Sequence, residues 1–285
     1  ALGLEAAPAT AGVEGATGPE RRERRLLAAA RARIPGLLVW GRERLDPTSP
    51  RGLPLTLSVG AMAIAVWVFG GLTQDVLGHD DSVLTDPRVT SLVVAHRVGW
   101  LTGIMRVSTW LGSNAVLVPA VLVVGGFFLV RRRDWRPLAL LASALAGAVV
   151  LYDIAKPAVG RLRPPSSIWI GHYSGGAFPS GHATATVAFY ATLALILSMG
   201  ASYGRRALVW SGATLVILVV GASRVYLGAH WLTDVLGGYA LGAAWVALLV
   251  TIALITRSRA PRGTGETAEQ APRRATGPSS KREAA

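Results

Sequence analysis

The sequence contains no cysteine and comparatively few charged residues. Without cysteine, the chain has neither disulfide bonds nor thiolate ligands for a metal site. Charged residues make up only 16% of the 285 residues, whereas about 25% is usual for a soluble globular protein. Hydrophobic residues make up 51% of the chain, and its mean hydropathy is positive. This composition indicates an integral membrane protein.

Acidic residues are also scarce, since 16 Asp and Glu stand against 29 Lys and Arg and the net charge is +13. An excess of this size is often a sign of nucleic-acid binding. Here the arginines cluster between and beyond the long apolar runs, so we interpret the charge as a topology signal and expect no nucleic-acid partner. Almost all of the positive charge is arginine, because the only lysines are Lys156 and Lys281.

Six apolar runs are long enough to cross about 30 Å of hydrocarbon as helices that rise about 1.5 Å per residue. They cover residues 53–73, 113–130, 136–156, 183–200, 207–226 and 232–256. A weaker segment near 87–111 carries Arg97 and Arg106, and we expect it to form an interfacial helix. If it crossed the membrane, the bundle would have seven spans. The sequence therefore predicts an all-α, polytopic membrane helical bundle with six transmembrane helices.

The apolar runs divide the chain into three parts. We expect residues 1–52 to form an Arg-rich, largely flexible cytoplasmic segment, 53–256 the membrane domain, and 257–285 a disordered basic cytoplasmic tail. The first stretch of the chain is polar, so we expect no amino-terminal signal peptide in it.

Clusters of arginine predict the orientation, because cytoplasmic loops are enriched in Lys and Arg. The clusters lie at 21–51, 131–136, 205–206 and from 257 onward. Six spans place all four clusters and both termini in the cytoplasm, whereas seven would separate the termini. The same arrangement places three polar segments on the extracytoplasmic side. These segments are residues 156–165, 179–182 and 223–234.

The first and third of these segments carry cations and a histidine–aspartate pair. Lys156 and Arg163 end the third span, where snorkelling toward lipid headgroups is the ordinary alternative. Arg224 ends the fifth span. His230 and Asp234 are four residues apart, on one helical face if the sixth span has begun there. Asp234 could then accept the Nδ1–H of His230 and leave Nε2 free and basic; a solvated pair without chemistry is the alternative.

The second segment, Pro179 to His182, stands at the start of an apolar span. Pro179 can lead into a helix that Ser180 caps, and Gly181 lets a ligand approach the backbone. The amides of Ser180 and Gly181 would form an anion site at the helix amino terminus, with His182 beside it. An ordinary capped helix with an interfacial histidine is the alternative.

Two histidines and an aspartate could also bind zinc. Three cations around a dication would be electrostatically unfavourable, however, whereas they suit a phosphate whose transfer needs charge stabilisation on its equatorial oxygens. The residues therefore predict a phosphate site without a metal at the outer membrane face.

The three segments together resemble the signature of the type 2 phosphatidic acid phosphatase superfamily, which also includes the vanadium haloperoxidases. Lys, six residues, then Arg-Pro is met at 156–164, and Pro-Ser-Gly-His at 179–182. Ser-Arg, five residues, His, three residues, Asp is met at 223–234. All three parts are complete and in order, and the resemblance covers roughly residues 53–256.

The resemblance implies a metal-independent lipid phosphatase that needs no cofactor. His230 would be the nucleophile that forms a phosphohistidine, with Asp234 orienting it. His182 would be the general acid and then the general base. The phosphoryl oxygens would be held by Lys156, Arg163, Ser180, Gly181 and Arg224.

A site at the bilayer surface favours a membrane lipid phosphate as substrate. Phosphatidic acid, phosphatidylglycerol phosphate and polyprenyl phosphates or diphosphates such as undecaprenyl diphosphate all qualify. The loop 165–178 overhangs the predicted site, and its Trp169, His172 and Tyr173 could contact a headgroup or be ordinary interfacial aromatics.

Three other functions use the same residues. A lipid phosphotransferase would differ only in its products. A vanadate-dependent haloperoxidase is disfavoured, because those enzymes are soluble. A binding or transport protein is disfavoured too, because binding alone needs neither a nucleophile nor an acid.

Overall fold

The computed structural model describes residue 22 and residues 42–49, 51–78 and 81–257, and these residues form helices without any strand. Eight helices of 12 residues or more build the described bundle. We number them α1 (Leu53–Gly78), α2 (Asp81–Ala95), α3 (Gly99–Trp110), α4 (Asn114–Arg132), α5 (Arg136–Val159), α6 (Gly181–Ser198), α7 (Tyr203–Tyr226) and α8 (Leu232–Arg257).

Six of these helices, α1 and α4 to α8, are long and apolar enough to cross a membrane. The prediction of an all-α bundle with six spans is therefore confirmed. The observed helices extend the predicted runs by a few residues, most often into polar residues at their ends. Most of the predicted amino-terminal segment 1–52 and almost all of the tail 257–285 lie outside the described residues.

Helix α6 is the centre of the bundle. More than half of its apolar window, 56%, is buried, compared with 17% in α1 and α4. It packs against α5, α7 and α8, largely through small side chains. Its buried alanines are Ala183, Ala185, Ala188 and Ala194. Small residues allow the helix backbones to approach closely. Close packing matters in a membrane, because the hydrophobic effect does not favour helix association within lipid.

The segment predicted as one interfacial helix near 87–111 forms two helices instead, α2 and α3. The break falls at His96–Val98, where Val98 adopts extended backbone with φ −127° and ψ 148°. Arg97 donates from Nε to the carbonyl of Tyr226 (2.8 Å) and from Nη1 to that of Ile168 (2.8 Å). The Val98 amide donates to the hydroxyl of Tyr226 at 3.1 Å. These contacts with distant parts of the chain explain the break, which local hydrophobicity does not reveal.

Two glycines in the left-handed region end helices beside the site. Gly160 (φ +64°) terminates α5, and its amide donates to the carbonyl of Lys156 at 2.9 Å. Gly228 (φ +74°) lies in the short connection between α7 and α8, where an added Cβ would stand 2.7 Å from the carbonyl of Ile168. Glycine is needed there for both backbone conformation and space. The two turns place the end of α5 next to the α7–α8 connection.

Candidate active site

His230 and Asp234 lie buried where α7 turns into α8. His230 is 2% exposed and Asp234 is fully buried. Helix α8 begins at Leu232, so His230 precedes the helix, yet its Nδ1 lies 3.3 Å from Oδ2 of Asp234. The same Oδ2 accepts the amide of Trp231 at 2.9 Å. Asp234 therefore caps the amino terminus of α8 and orients His230 with one oxygen.

The tautomer of His230 follows from its second neighbour. Nη1 of Arg163 lies 3.1 Å from Nε2 of His230. Because a guanidinium can only donate, Nε2 must be the acceptor, and the ring proton of the neutral imidazole is on Nδ1, toward Asp234. Burial lowers the pKa of His230 well below 6.5, and the charges of Arg224, Arg163 and Lys156 lower it further. His230 is thus neutral near pH 7, with its Nε2 lone pair facing Arg163.

Arg163 is held rigidly by backbone carbonyls. Its Nη1 donates to Ala229 at 2.6 Å, its Nη2 to Ser174 at 2.9 Å and its Nε to Gly175 at 3.0 Å. All three acceptors are neutral carbonyl groups, so these bonds do not balance the charge of the guanidinium. They also tie the loop before α6 to the α7–α8 connection.

Arg224 and Lys156 complete a group of three cations. Arg224 is 5% exposed, and its Nη1 donates to the hydroxyl of Thr109 at 2.7 Å. The Lys156 ammonium lies 5.6 Å from the ring centroid of Tyr152. Within the described part of the chain, none of the three cations forms a salt bridge with a carboxylate. Burying uncompensated positive charge is unfavourable, so this arrangement is suited to receive an anion.

Helix α6 contributes Gly181 and His182 at its amino terminus. The first amides of a helix have no partner within it and attract anions. An added Cβ on Gly181 would lie 3.2 Å from the ring of Tyr152, a tight contact that alanine could make only if the ring moved slightly. Six of the eight site residues predicted from the sequence line one cavity, namely Lys156, Arg163, Gly181, His182, Arg224 and His230.

Ser180 is placed differently from the expectation. It is fully buried, and its amide donates to the backbone carbonyl of Asp234 at 2.9 Å. Its hydroxyl is buried without a hydrogen-bond partner among the described residues. The Ser180 amide therefore links the start of α6 to the start of α8.

The site residues other than Ser180 and Asp234 surround a cavity of about 270 Å³, which is lined by His230 and all three cations. The remaining wall comes from the α3–α4 connection, α4, α5 and the loop before α6. It is formed by Gly112, Asn114, Tyr152, His172, Tyr173 and Ser174. A phosphoryl group here would meet a neutral histidine on one side and positive charge around it. In the described ranges, no three His, Cys, Asp or Glu side chains are grouped so that they could hold a metal ion.

A buried ion-pair network behind the cavity was missed by the sequence reasoning. Arg161 donates from Nη1 to Oδ1 of Asp234 and from Nη2 to Oδ2 of Asp86, both at 2.6 Å. Asp86, on α2, is 1% exposed and also accepts the amide of Thr233 at 3.0 Å and its hydroxyl at 2.5 Å. The only available signal was the position of Arg161 within the Lys-to-Arg-Pro segment, and nothing local marked Asp86.

The comparisons with known proteins agree on one family. The sequence model of the PAP2 superfamily matches residues 137–257, which contain all eight predicted site residues. The chain is 31% identical over 167 residues to phosphatidylglycerophosphatase B of Bacillus subtilis, covering 58% of this chain and 81% of that protein. It is 25% identical over 178 residues to an undecaprenyl-diphosphatase of Sulfolobus acidocaldarius, covering 61% and 80%.

A solved structure has the same fold. The crystal structure of a transmembrane PAP2-type phosphatidylglycerolphosphate phosphatase from Bacillus subtilis aligns with a TM-score of 0.59 at 27% identity. The alignment covers 72% of this chain and 98% of that one.

Proposed function

We propose a mechanism and a substrate class for this chain from one premise: it belongs to the PAP2 superfamily. It is a multi-pass membrane lipid phosphatase, a hydrolase of phosphoric esters. The proposal is that it cleaves a phosphomonoester or diphosphate of a membrane lipid through a phosphohistidine, without a metal ion or cofactor.

In the first step, Nε2 of His230 attacks phosphorus in line and forms a nitrogen–phosphorus bond. The bond from phosphorus to the leaving oxygen breaks, and His182 donates a proton to that oxygen. Asp234 accepts the Nδ1–H of His230 and so stabilises the positive charge that develops on the ring. The cations Lys156, Arg163 and Arg224, with the amide of Gly181, hold the equatorial oxygens.

In the second step, His182 accepts a proton from water as the oxygen of that water attacks phosphorus. The nitrogen–phosphorus bond breaks, inorganic phosphate leaves, and His230 returns to its neutral tautomer. His182 gives up one proton in the first step and regains one in the second, so the cycle is balanced.

One observation carries the proposal: the Nε2 acceptor of His230 faces Arg163 in a cavity whose three cations form no salt bridge with any carboxylate that the structure describes. A phosphoryl group that Nε2 attacks would lie within reach of the Arg163 guanidinium. The proposal needs no metal, because the three cations would supply the electrostatic stabilisation that a divalent ion otherwise provides.

We also propose the sidedness of the enzyme. Both termini would be cytoplasmic and the active site extracytoplasmic, since the Arg131–Arg133 and Arg205–Arg206 clusters lie at the end of the bundle opposite the site. The substrate would then be presented by the outer part of the bilayer, with its phosphate in the cavity and its chains in lipid.

The test is phosphate release by the detergent-purified protein and its His230→Ala variant. The panel contains phosphatidic acid, phosphatidylglycerol phosphate and undecaprenyl diphosphate, with EDTA present throughout. We expect release by the unmodified protein and a loss of about 10³-fold or more in the variant, because the nucleophile is gone.

His96→Ala is the matched control. His96 is exposed, and its Nδ1 lies 2.8 Å from the carbonyl of Leu92, away from the cavity. It should retain full activity. Full activity of His230→Ala, or a loss of activity in EDTA that one added metal restores, would contradict the mechanism. Phosphate transfer to an alcohol in place of release would identify a phosphotransferase.

A further inference from the structure

A second chamber of about 450 Å³ adjoins the catalytic cavity. It lies between α3, the end of α7 and the loop before α6. It shares four residues with the catalytic cavity, namely His172, Tyr173, His182 and Arg224. His230 lines the catalytic cavity and does not line this chamber. The second chamber therefore opens on the side of His182 and extends away from the nucleophile.

The charged groups of this chamber are all positive. Arg106 on α3 and Arg224 on α7 line it, and no carboxylate does. Arg224 is nearly fully buried, and its Nε has no hydrogen-bond partner among the described residues. Arg106 likewise forms no salt bridge with any carboxylate that the structure describes. The chamber is also lined by Trp110, Ile170 and Leu227, which form an apolar wall beside the two guanidinium groups.

The proposed reaction assigns this chamber to the leaving group, and the inference rests on that proposal. In an in-line displacement the nucleophile and the leaving oxygen lie on opposite sides of phosphorus. The group that protonates the leaving oxygen must be within hydrogen-bond reach of it. With His230 as nucleophile and His182 as acid, the leaving group extends past His182, and the second chamber is the space that lies there.

We infer that Arg106 determines specificity by binding a second phosphate, one that belongs to the leaving group. Phosphatidylglycerol phosphate leaves behind a phosphodiester anion, and a polyprenyl diphosphate leaves behind a polyprenyl monophosphate. Phosphatidic acid leaves behind diacylglycerol, which has no charge for Arg106 to bind. Arg106 is exposed where it lines the chamber, and a guanidinium binds phosphate oxygens through paired, charge-assisted hydrogen bonds. The enzyme would therefore prefer lipids with two phosphates over lipids with one.

The experiment measures a ratio of kcat/KM values for Arg106→Ala in mixed micelles of fixed composition. The ratio divides the kcat/KM for phosphatidylglycerol phosphate or undecaprenyl diphosphate by the kcat/KM for phosphatidic acid. We expect the ratio to fall on the order of tenfold, because a charge-assisted contact to the leaving group is lost. Arg106→Lys should restore part of the ratio, since it keeps the charge and loses the bidentate geometry.

Arg88→Ala is the matched control, because Arg88 is an exposed arginine on the neighbouring helix α2 and lines neither chamber. Its ratio should equal that of the unmodified protein. An Arg106→Ala ratio that stays unchanged, or an equal fall on all three lipids, would overturn the inference and leave Arg106 as a membrane anchor. Failure of the proposed function has a different signature, since His230→Ala would then retain phosphate release.

Discussion

Asp234 is the residue on which the buried charges of the site converge. It accepts from Arg161 and from the Trp231 amide, and its Oδ2 faces Nδ1 of His230. Arg161 is shared with a second carboxylate, Asp86, at the same distance of 2.6 Å. Because two carboxylates share one guanidinium, the three side chains Asp86, Arg161 and Asp234 together keep a net negative charge. That charge lies directly behind His230 and supports its imidazolium form during attack.

Asp86→Asn should therefore lower kcat without a matching change in KM. The substitution leaves Arg161 paired with Asp234 alone, which neutralises the negative charge that faces His230. We expect kcat to fall roughly tenfold, in line with the loss of a buried charged partner worth on the order of 1–2 kcal/mol. The measurement is phosphate release at varied lipid concentration, beside a thermal unfolding curve for each variant.

A double-mutant cycle separates positioning from simple support of the fold. In an Asp234→Asn background, Asp86→Asn should cost little more activity, because the residue through which it acts is already changed. Thr90→Val is the control, since Thr90 lies one turn further along α2, is 3% exposed and has no partner for its hydroxyl among the described residues. If Asp86→Asn lowers kcat equally in both backgrounds, it acts by another route.

At the scale of single residues, the sequence predicts those site residues that stand at a fixed spacing within a motif. Lys156, Arg163, His182 and His230 stand in recognisable motifs, and the structure brings them to one cavity. Asp86 meets Thr233 across 147 positions of sequence, so no local pattern could indicate it. The bond from the Ser180 amide to the carbonyl of Asp234 is equally invisible in the motif, because it depends on how closely α6 and α8 pack.

At the scale of whole helices, two glycines on α8 allow it to pack closely against α6. An added Cβ on Gly238 would lie 2.7 Å from the carbonyl of Ser180, and one on Gly242 would lie 2.8 Å from that of Thr184. The two glycines are four residues apart and so lie on one face of α8. This face fixes the distance between the helix that bears His182 and the helix that Asp234 caps.

Gly238→Ala should lower both stability and activity. The new methyl group meets backbone, which cannot move aside as a flexible side chain could, so α8 must shift away from α6. Overpacking of this kind costs about 1–3 kcal/mol, and the shift separates His182 from His230. Thermal unfolding and phosphate release on the same samples measure the two effects.

Gly212→Ala on α7 is the control for that substitution. No atom lies within 4 Å of a Cβ added there, so alanine should be neutral or slightly stabilising, because it has the better helix propensity. Similar losses for Gly212→Ala and Gly238→Ala would show that α7 and α8 tolerate no methyl group anywhere. The close approach of α6 and α8 would then not be the cause.

Long apolar helices were predictable from composition, whereas the break between α2 and α3 was not. Each of the six spans is a run of about twenty apolar residues, and such a run has few alternatives in a membrane. The segment around Arg97 has no such constraint. Its geometry is decided by hydrogen bonds to Tyr226 and Ile168, which belong to other parts of the fold.

For the molecule as a whole, the two ends of the bundle differ in chemistry. One end holds the uncompensated cations Lys156, Arg163 and Arg224 around a cavity. The opposite end carries the exposed arginines at the end of α4 and in the first turn of α7. Basic residues in short loops favour the cytoplasm, while cations inside a binding site serve a ligand and do not act as a topology signal. The proposed orientation depends on this distinction.

The absence of cysteine makes the orientation directly measurable, since any introduced cysteine is the only one in the chain. Ser167 is exposed in the 3₁₀ helix Ser166–Ile168 at the end with the active site, and Ser202 is exposed before α7 at the other end. In intact cells, a membrane-impermeant maleimide should label Ser167→Cys and should label Ser202→Cys only after permeabilisation. Both substitutions exchange oxygen for sulfur, so phosphate release serves as the control for a native fold. Labelling of Ser202→Cys alone in intact cells would reverse the orientation and place the phosphatase reaction in the cytoplasm, where a different pool of lipid phosphates is presented.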